Sequence, residues 1–157
     1  MTEKAILLAE DDPMQVTLFL RAMEQSGTRC RVDVVRDGAE VIDFLFCLGK
    51  YKSGRQMPDL LLLDLKMPKM DGLQVLQVMR RVRGEERGRF PPVVVLTSSD
   101  LDDDIVEAYR WGAQSYIRKP LDFEAFCTVV RETLHYWLGL NQPLPALREG
   151  HYVHERL

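Results

Sequence analysis

The 157-residue chain lacks the features that would place it outside the cell or within a membrane. Only three cysteines occur, Cys30, Cys47 and Cys127, an odd number with no paired spacing. They fit neither a disulfide framework nor a zinc site, and read as reduced, mostly buried thiols of a cytosolic protein. No apolar run approaches the roughly 20 residues that a helix needs to cross a bilayer. The opening segment MTEKAILLAEDD turns acidic after a short apolar stretch, so it reads as neither a signal peptide nor an anchor. Positive charge is not in excess: 21 Lys and Arg face 24 Asp and Glu, for a formal net charge of -3. Nothing general therefore draws the chain to nucleic acid or an anionic membrane, and either would need a local patch. The GxGxxG and Walker A patterns are missing, which disfavours nucleotide binding. There is no internal repeat or low-complexity tract. What remains is a globular balance, 46% hydrophobic and 29% charged, at a length suited to one domain with one full core. The expectation is a soluble cytoplasmic domain.

Short apolar runs of β character recur at 5–9, 30–35, 60–63, 93–96 and 115–117. Two of them, LLLL and VVVL, are continuous, as in parallel strands covered on both faces. The second run sets Cys30, Val32 and Val34 against Arg31 and Asp33, which predicts a strand at a sheet edge. Helical spacing fills the intervals. Val16, Phe19, Leu20 and Met23 mark a first helix with Gly27 as its C-cap. Ile42, Leu45, Phe46 and Gly49 mark a second, and Leu73, Leu76, Met79 and Val82 a third. Ile105, Val106 and Tyr109 mark a fourth. Phe123, Phe126, Val130, Leu134 and Trp137 mark a long fifth. Alternating β and α elements with right-handed crossovers predict an α/β fold, a doubly wound five-stranded parallel sheet with helices on both faces. The connections 49–58 and 84–92 read as long and polar. Residues 1–140 are expected to form the domain and 141–157 a tail with no separate output domain.

In such a sheet ligands gather at the carboxyl ends of the strands. Those ends carry a specific set here: Glu10, Asp11 and Asp12 after the first, Asp64 after the third, Thr97, Ser98 and Ser99 at the fourth, Lys119 and Pro120 after the fifth. If the first and third strands are neighbours, three or more carboxylates meet in one crevice. Such a cluster repels itself unless a cation neutralises it, and hard oxygen ligands suit Mg²⁺. A hydroxyl and a lysine on facing loops are then placed to hold phosphoryl oxygens. Each residue alone has a plainer reading. Glu10, Asp11 or Asp12 could cap the first helix, Asp64 could be a turn residue, Thr97 could satisfy strand-end backbone, and Lys119 could be a solvated charge. Their joint recurrence at successive strand ends favours a site.

The segments LLAEDD, LLLLDLKMPKMDG, VVVLTSS and GAQSYIRKP resemble, in order, the landmarks of response-regulator receiver domains. The resemblance runs from about Lys4 to Trp137 and implies the sheet order 2-1-3-4-5. The longer loops and the end HYWLGLN are similar to single-domain regulators that partner bacterial phytochrome histidine kinases. By this resemblance Asp64 is the phosphoacceptor. Asp11 is the direct Mg²⁺ ligand, Glu10 its acidic neighbour, and Lys66 a ligand through its backbone carbonyl. Thr97 is the switch hydroxyl, Lys119 the phosphoryl-binding lysine and Tyr116 the aromatic switch residue. The Lys119–Pro120 bond is expected to be cis. The implied donor is a phosphohistidine on a sensor histidine kinase or phosphotransfer protein, and the implied protein is a phosphoacceptor, not an enzyme. Its output would pass through protein contact or onward relay.

A Mg²⁺-dependent phosphatase with an aspartyl nucleophile is the main rival. Such enzymes usually carry a second acid two residues after the nucleophile, where this chain has Lys66. A receiver-like module that only binds a partner is the other rival, and the intact site residues disfavour it. His151 and His154 form HxxH in the tail and read as exposed polar residues. The run RRVRGEERGR mixes signs without interleaved aromatics, unlike a nucleic-acid surface. Ala125, Val129 and Tyr136 form a second apolar stripe on the fifth helix, with Leu138 and Leu140 beyond it. That stripe predicts a homodimer, unless the tail, through Leu144 and Leu147, folds back over it.

Overall fold

The structure is a computed structural model that describes residues 3–54, 56–83 and 90–144. Five strands alternate with five helices: β1 (Ala5–Ala9), α1 (Pro13–Ser26), β2 (Arg31–Val35), α2 (Gly38–Leu45), β3 (Leu60–Leu63), α3 (Gly72–Arg83), β4 (Val93–Thr97), α4 (Asp102–Arg110), β5 (Ser115–Arg118) and α5 (Phe123–His135). All strand pairs are parallel, in the order β2-β1-β3-β4-β5. This is the doubly wound sheet expected, with the alternating second run at its edge.

Strand residues alternate between two cores because successive side chains leave opposite faces. Leu7, Ala9, Leu61, Leu63, Val93 and Val95 pack with Val41, Phe44, Val75, Met79 and Ala108, beneath α2, α3 and α4. Ile6, Leu8, Leu60, Leu62, Val94 and Leu96 pack with Phe19, Ala22, Phe126, Val130 and Leu134, beneath α1 and α5. Both cores need apolar residues at every strand position, which is why LLLL and VVVL do not alternate. Helix starts are fixed by side chains. Asp12 accepts from the Met14 N–H, Asp37 from Glu40 and Asp122 from Ala125. Gly27 ends α1 in the left-handed region at φ 70°, as its spacing predicted.

Five details differ from the sequence reading, the first being that α2 stops at Leu45 with Phe46 as its C-cap, short of Gly49. Strand β2 begins at Arg31, and β4 and β5 extend to Thr97 and Arg118, because the ladder pairs Ala5 with Arg31 and Thr97 with Arg118. Helix α5 stops at His135 and continues as a π-turn, Tyr136–Leu140, whose bond runs from the Asn141 N–H to the Tyr136 carbonyl (2.6 Å). The 49–58 connection is not wholly polar: Tyr51, in a 3-10 turn (Gly49–Tyr51), is buried against Phe44 and bonds Glu40. The Lys119–Pro120 bond is trans, and the described residues contain no cis peptide. Trans is the intrinsically preferred isomer by about 0.5–1 kcal/mol. With it the Lys119 N–H still continues the ladder to the Thr97 carbonyl (2.7 Å). The tail, including His151, His154 and Leu147, and most of the 84–92 connection lie outside the described residues.

Candidate functional site

Three backbone bonds carry the ladder past the strand ends and fix where the polar side chains begin. The Asp64 N–H donates to the Ala9 carbonyl (3.1 Å), the Glu10 N–H to Val35 (3.0 Å) and the Lys119 N–H to Thr97. Because β1 and β3 are neighbours, Glu10, Asp11 and Asp64 meet, each offering a carboxylate oxygen within 4.8 Å of the others. Glu10 is buried, Asp64 half-buried and Asp11 exposed. Asp12 stands apart as the cap of α1, so the capping reading holds for that residue.

Both oxygens of Asp64 are engaged. Oδ1 accepts from the Thr97 hydroxyl (2.8 Å) and from the Lys66 N–H (3.3 Å), and Oδ2 faces the Lys119 ammonium (3.5 Å). That ammonium also donates to Glu10 Oε1. The cleft floor is apolar, with Leu8, Phe19, Leu62, Leu96 and Phe126 beneath the charged groups. Burial there pushes the Glu10 carboxyl up to about 7, the Lys119 bond pulls it back, and the charge of Asp64 adds to the rise. Glu10 is thus short of positive charge even with Lys119 in place. Three carboxylates share one ammonium, and a divalent cation held by hard oxygens balances that set. The residues fit a divalent cation bound through oxygen.

Around this centre two loops are held in register. Gly72, after the third strand's loop, lies so near that a Cβ would stand 2.4 Å from the Asp64 carbonyl oxygen. The loop after β4 is tied from two sides: the Tyr116 hydroxyl donates to the Ser99 carbonyl (2.9 Å), and the Ser99 hydroxyl donates to Asp104 Oδ2 (2.5 Å). Burial first, then the charges of Asp104, Asp100 and Asp64, raise the pKa of Tyr116, so the phenol remains a neutral donor. The Lys66 ammonium stands 3.7 Å from the same Asp104 oxygen. Glu10, Asp11, Asp64, Thr97 and Lys119 therefore converge, with Tyr116 and Lys66 at the margin. Sequence reasoning missed Asp104, which lies in an ordinary-looking acidic first turn of α4, DDD. It also missed the packing role of Gly38, whose Asp-Gly pair reads simply as a turn.

The sequence profile of the response regulator receiver domain matches residues 6–131. A probable methanogenesis regulatory protein, FilR2 of Methanothrix harundinacea, is 44% identical over 142 residues, 90% of this chain and 88% of that protein. The phosphorylated cyanobacterial phytochrome response regulator RcpA superposes with a TM-score of 0.81 at 32% identity, over 92% of this chain and all of that one. The Mn²⁺-bound form of response regulator Rcp1 superposes with a TM-score of 0.78 at 30% identity, over 90% of this chain and 99% of that one.

Proposed function

The chain belongs to the response regulator receiver family, and on that premise we propose that it accepts a phosphoryl group on Asp64 and signals by changing shape. One observation carries the reading: the Asp64 carboxylate lies between the Thr97 hydroxyl and the Lys119 ammonium, beside Glu10 and Asp11.

The donor is a phosphohistidine on a sensor histidine kinase or phosphotransfer protein. Its N–P bond breaks as an Asp64 oxygen attacks in line, and the leaving imidazole keeps the electron pair. The transition state is loose and spreads charge over three equatorial oxygens, so positioning and neutralisation set the rate. Lys119 offers its protons to one of those oxygens and the Thr97 hydroxyl to another. When held by Glu10, Asp11, Asp64 and the Lys66 carbonyl, Mg²⁺ supplies the remaining neutralisation. As Thr97 turns from Asp64 to the phosphoryl group, the loop after β4 follows. Tyr116, bonded to Ser99 in that loop, then relays the change to the face formed by α4, β5 and α5. This is a shift between two populations.

The protein acts as a phosphoacceptor without turnover on a separate substrate, in the cytoplasm, as a receiver domain over 1–140. Among the described residues no helix is long and apolar enough to cross a membrane. The phytochrome regulators among its structural relatives support a bacterial phytochrome as the kinase. Signalling onward would pass through protein contact or through phosphate handed on in a relay. Acetyl phosphate with Mg²⁺, followed by intact-mass measurement, tests this function. A single persistent phospho-adduct on wild type is expected. Multiple turnover would support the phosphatase, and no adduct would leave only the inert binding module.

A further inference from the structure

One carboxylate outside the phosphoryl site touches both of the loops that border it. Asp104 Oδ2 accepts from the Ser99 hydroxyl at 2.5 Å and stands 3.7 Å from the Lys66 ammonium. Lys66 and Ser99 each lie two residues beyond a reacting group, Lys66 after Asp64 and Ser99 after Thr97. The Lys66 N–H and the Thr97 hydroxyl both donate to Asp64 Oδ1, so the two segments that carry Lys66 and Ser99 flank that carboxylate. Asp104 is only 14% exposed at its side chain, although its neighbours Asp102 and Asp103 face solvent.

The local role that its position offers is not taken. As the third residue of α4, Asp104 could cap the helix by accepting from the Leu101 N–H, as acids at this position do. That N–H instead turns to the Ser99 hydroxyl (3.4 Å), and α4 has no side-chain cap on its N-cap residue. The carboxylate reaches sideways to the two loops. A Tyr116 bond to the Ser99 carbonyl (2.9 Å) holds the same loop from the far side.

We propose that Asp104 is a positioning residue that lengthens the life of the aspartyl phosphate by holding Lys66 and Ser99 together across the approach to Asp64. The proposal rests on Asp64 being the phosphoacceptor. Asp104 touches neither the carboxylate of Asp64 nor the metal-binding oxygens. It acts through the ion pair with Lys66, which keeps a long cationic stem over the opening, and through the hydroxyl of Ser99. With Asp104 neutral or absent, Lys66 swings into solvent, where its side chain is already 70% exposed, and water gains access.

The test is the decay of the phospho-adduct after labelling with acetyl phosphate and Mg²⁺ and removal of the donor, followed by intact mass. Asp104→Asn keeps an acceptor for Ser99 but loses the charge, and should decay about three- to five-fold faster, the scale of one exposed ion pair. Asp104→Glu restores the charge and should return the lifetime to near wild type, which a merely structural loss would not do. Asp104→Asn in a Lys66→Ala background should add nothing to the effect of Lys66→Ala alone. Decay of Asp104→Asn at the wild-type rate would overturn the proposal, as would multiplicative effects in the double variant. If wild type forms no adduct, the phosphoacceptor reading falls and this one with it. An adduct whose lifetime ignores Asp104 removes this one only.

Discussion

Gly38, the first residue of α2, lies against the carbonyl of Met70 in the loop that follows Asp64. A Cβ at position 38 would stand 2.0 Å from that oxygen and 2.7 Å from its carbon. The obstacle is backbone, so no side-chain rotation relieves it. Beside it the Lys69 ammonium pairs with Asp37 at 3.4 Å. The start of α2 therefore fixes the loop that carries Lys66 and Met67.

Gly38→Ala should lower stability despite the better helix propensity of alanine. Propensity gains about 0.5–1 kcal/mol, whereas overpacking against fixed backbone costs about 1–3 kcal/mol. A lower denaturant midpoint with unchanged slope is expected. Slower labelling by acetyl phosphate should accompany it, because the displaced loop begins at Asp64. A midpoint at or above wild type would mean that the loop moves aside freely.

Asp64→Asn should form no phospho-adduct and should fold as well as wild type or better. The amide keeps an oxygen for the Thr97 hydroxyl, now 2.8 Å from Oδ1. It also removes one charge from a cluster in which Asp64 raises the pKa of Glu10. Intact mass and a thermal melt check both halves. Labelling at the wild-type rate would place the phosphoacceptor elsewhere.

The strands, and the gathering of Glu10, Asp11, Asp64, Thr97 and Lys119 at their carboxyl ends, were legible because each rests on a local pattern with few alternatives. Leu60–Leu63 must be covered on both faces, and a sheet that covers it puts Asp64 at a carboxyl end. Asp104 was not legible, since its role comes from where α4 falls relative to two loops and not from its spacing. Tyr51 was missed for a similar reason. A lone aromatic in a polar connection has no period, and only the fold brings it onto Phe44 at 4.9 Å between ring centres. The cis expectation at Pro120 rested on the resemblance alone, with no local pattern in the sequence behind it, and the bond is trans.

Glu40 should make part of the stability acid-sensitive. Burial pushes its carboxyl up, but bonds from the Lys50 ammonium (2.8 Å), the Arg36 N–H (3.1 Å) and the Tyr51 hydroxyl (2.8 Å) outweigh that, and its pKa is lowered. A carboxyl lowered by folding stabilises the native state above its unfolded value, about 4.3. That contribution is lost as pH falls through the lower folded value. Glu40→Gln should therefore flatten the fall in stability below about pH 4.3. Tyr51→Phe, which keeps the ring, should cost about 1 kcal/mol near neutral pH. Denaturant midpoints between acid and neutral pH check both. An equally steep acid limb in Glu40→Gln would assign the sensitivity to other carboxylates.

The protein should be a dimer through the end of α5. Phe126, Val130 and Leu134 spend the inner face of that helix on the core, and Val129, Trp137 and Leu138 are partly buried against it. The π-turn then carries Tyr136 and Leu140 outward, 48% and 60% exposed, with Leu144 at 70% beyond them. The stripe predicted from the helix wheel is therefore shifted toward the turn. Val129→Asp would disturb the core as well as the surface, so Tyr136→Asp/Leu140→Asp is the cleaner variant. A two-fold pairing buries such a patch against its own copy. Sedimentation at micromolar concentration should give a dimer for wild type and a monomer for the double variant, with unchanged melting of the monomer fold. A monomeric wild type would remove the interface. A double variant that remains dimeric would move it away from the end of α5.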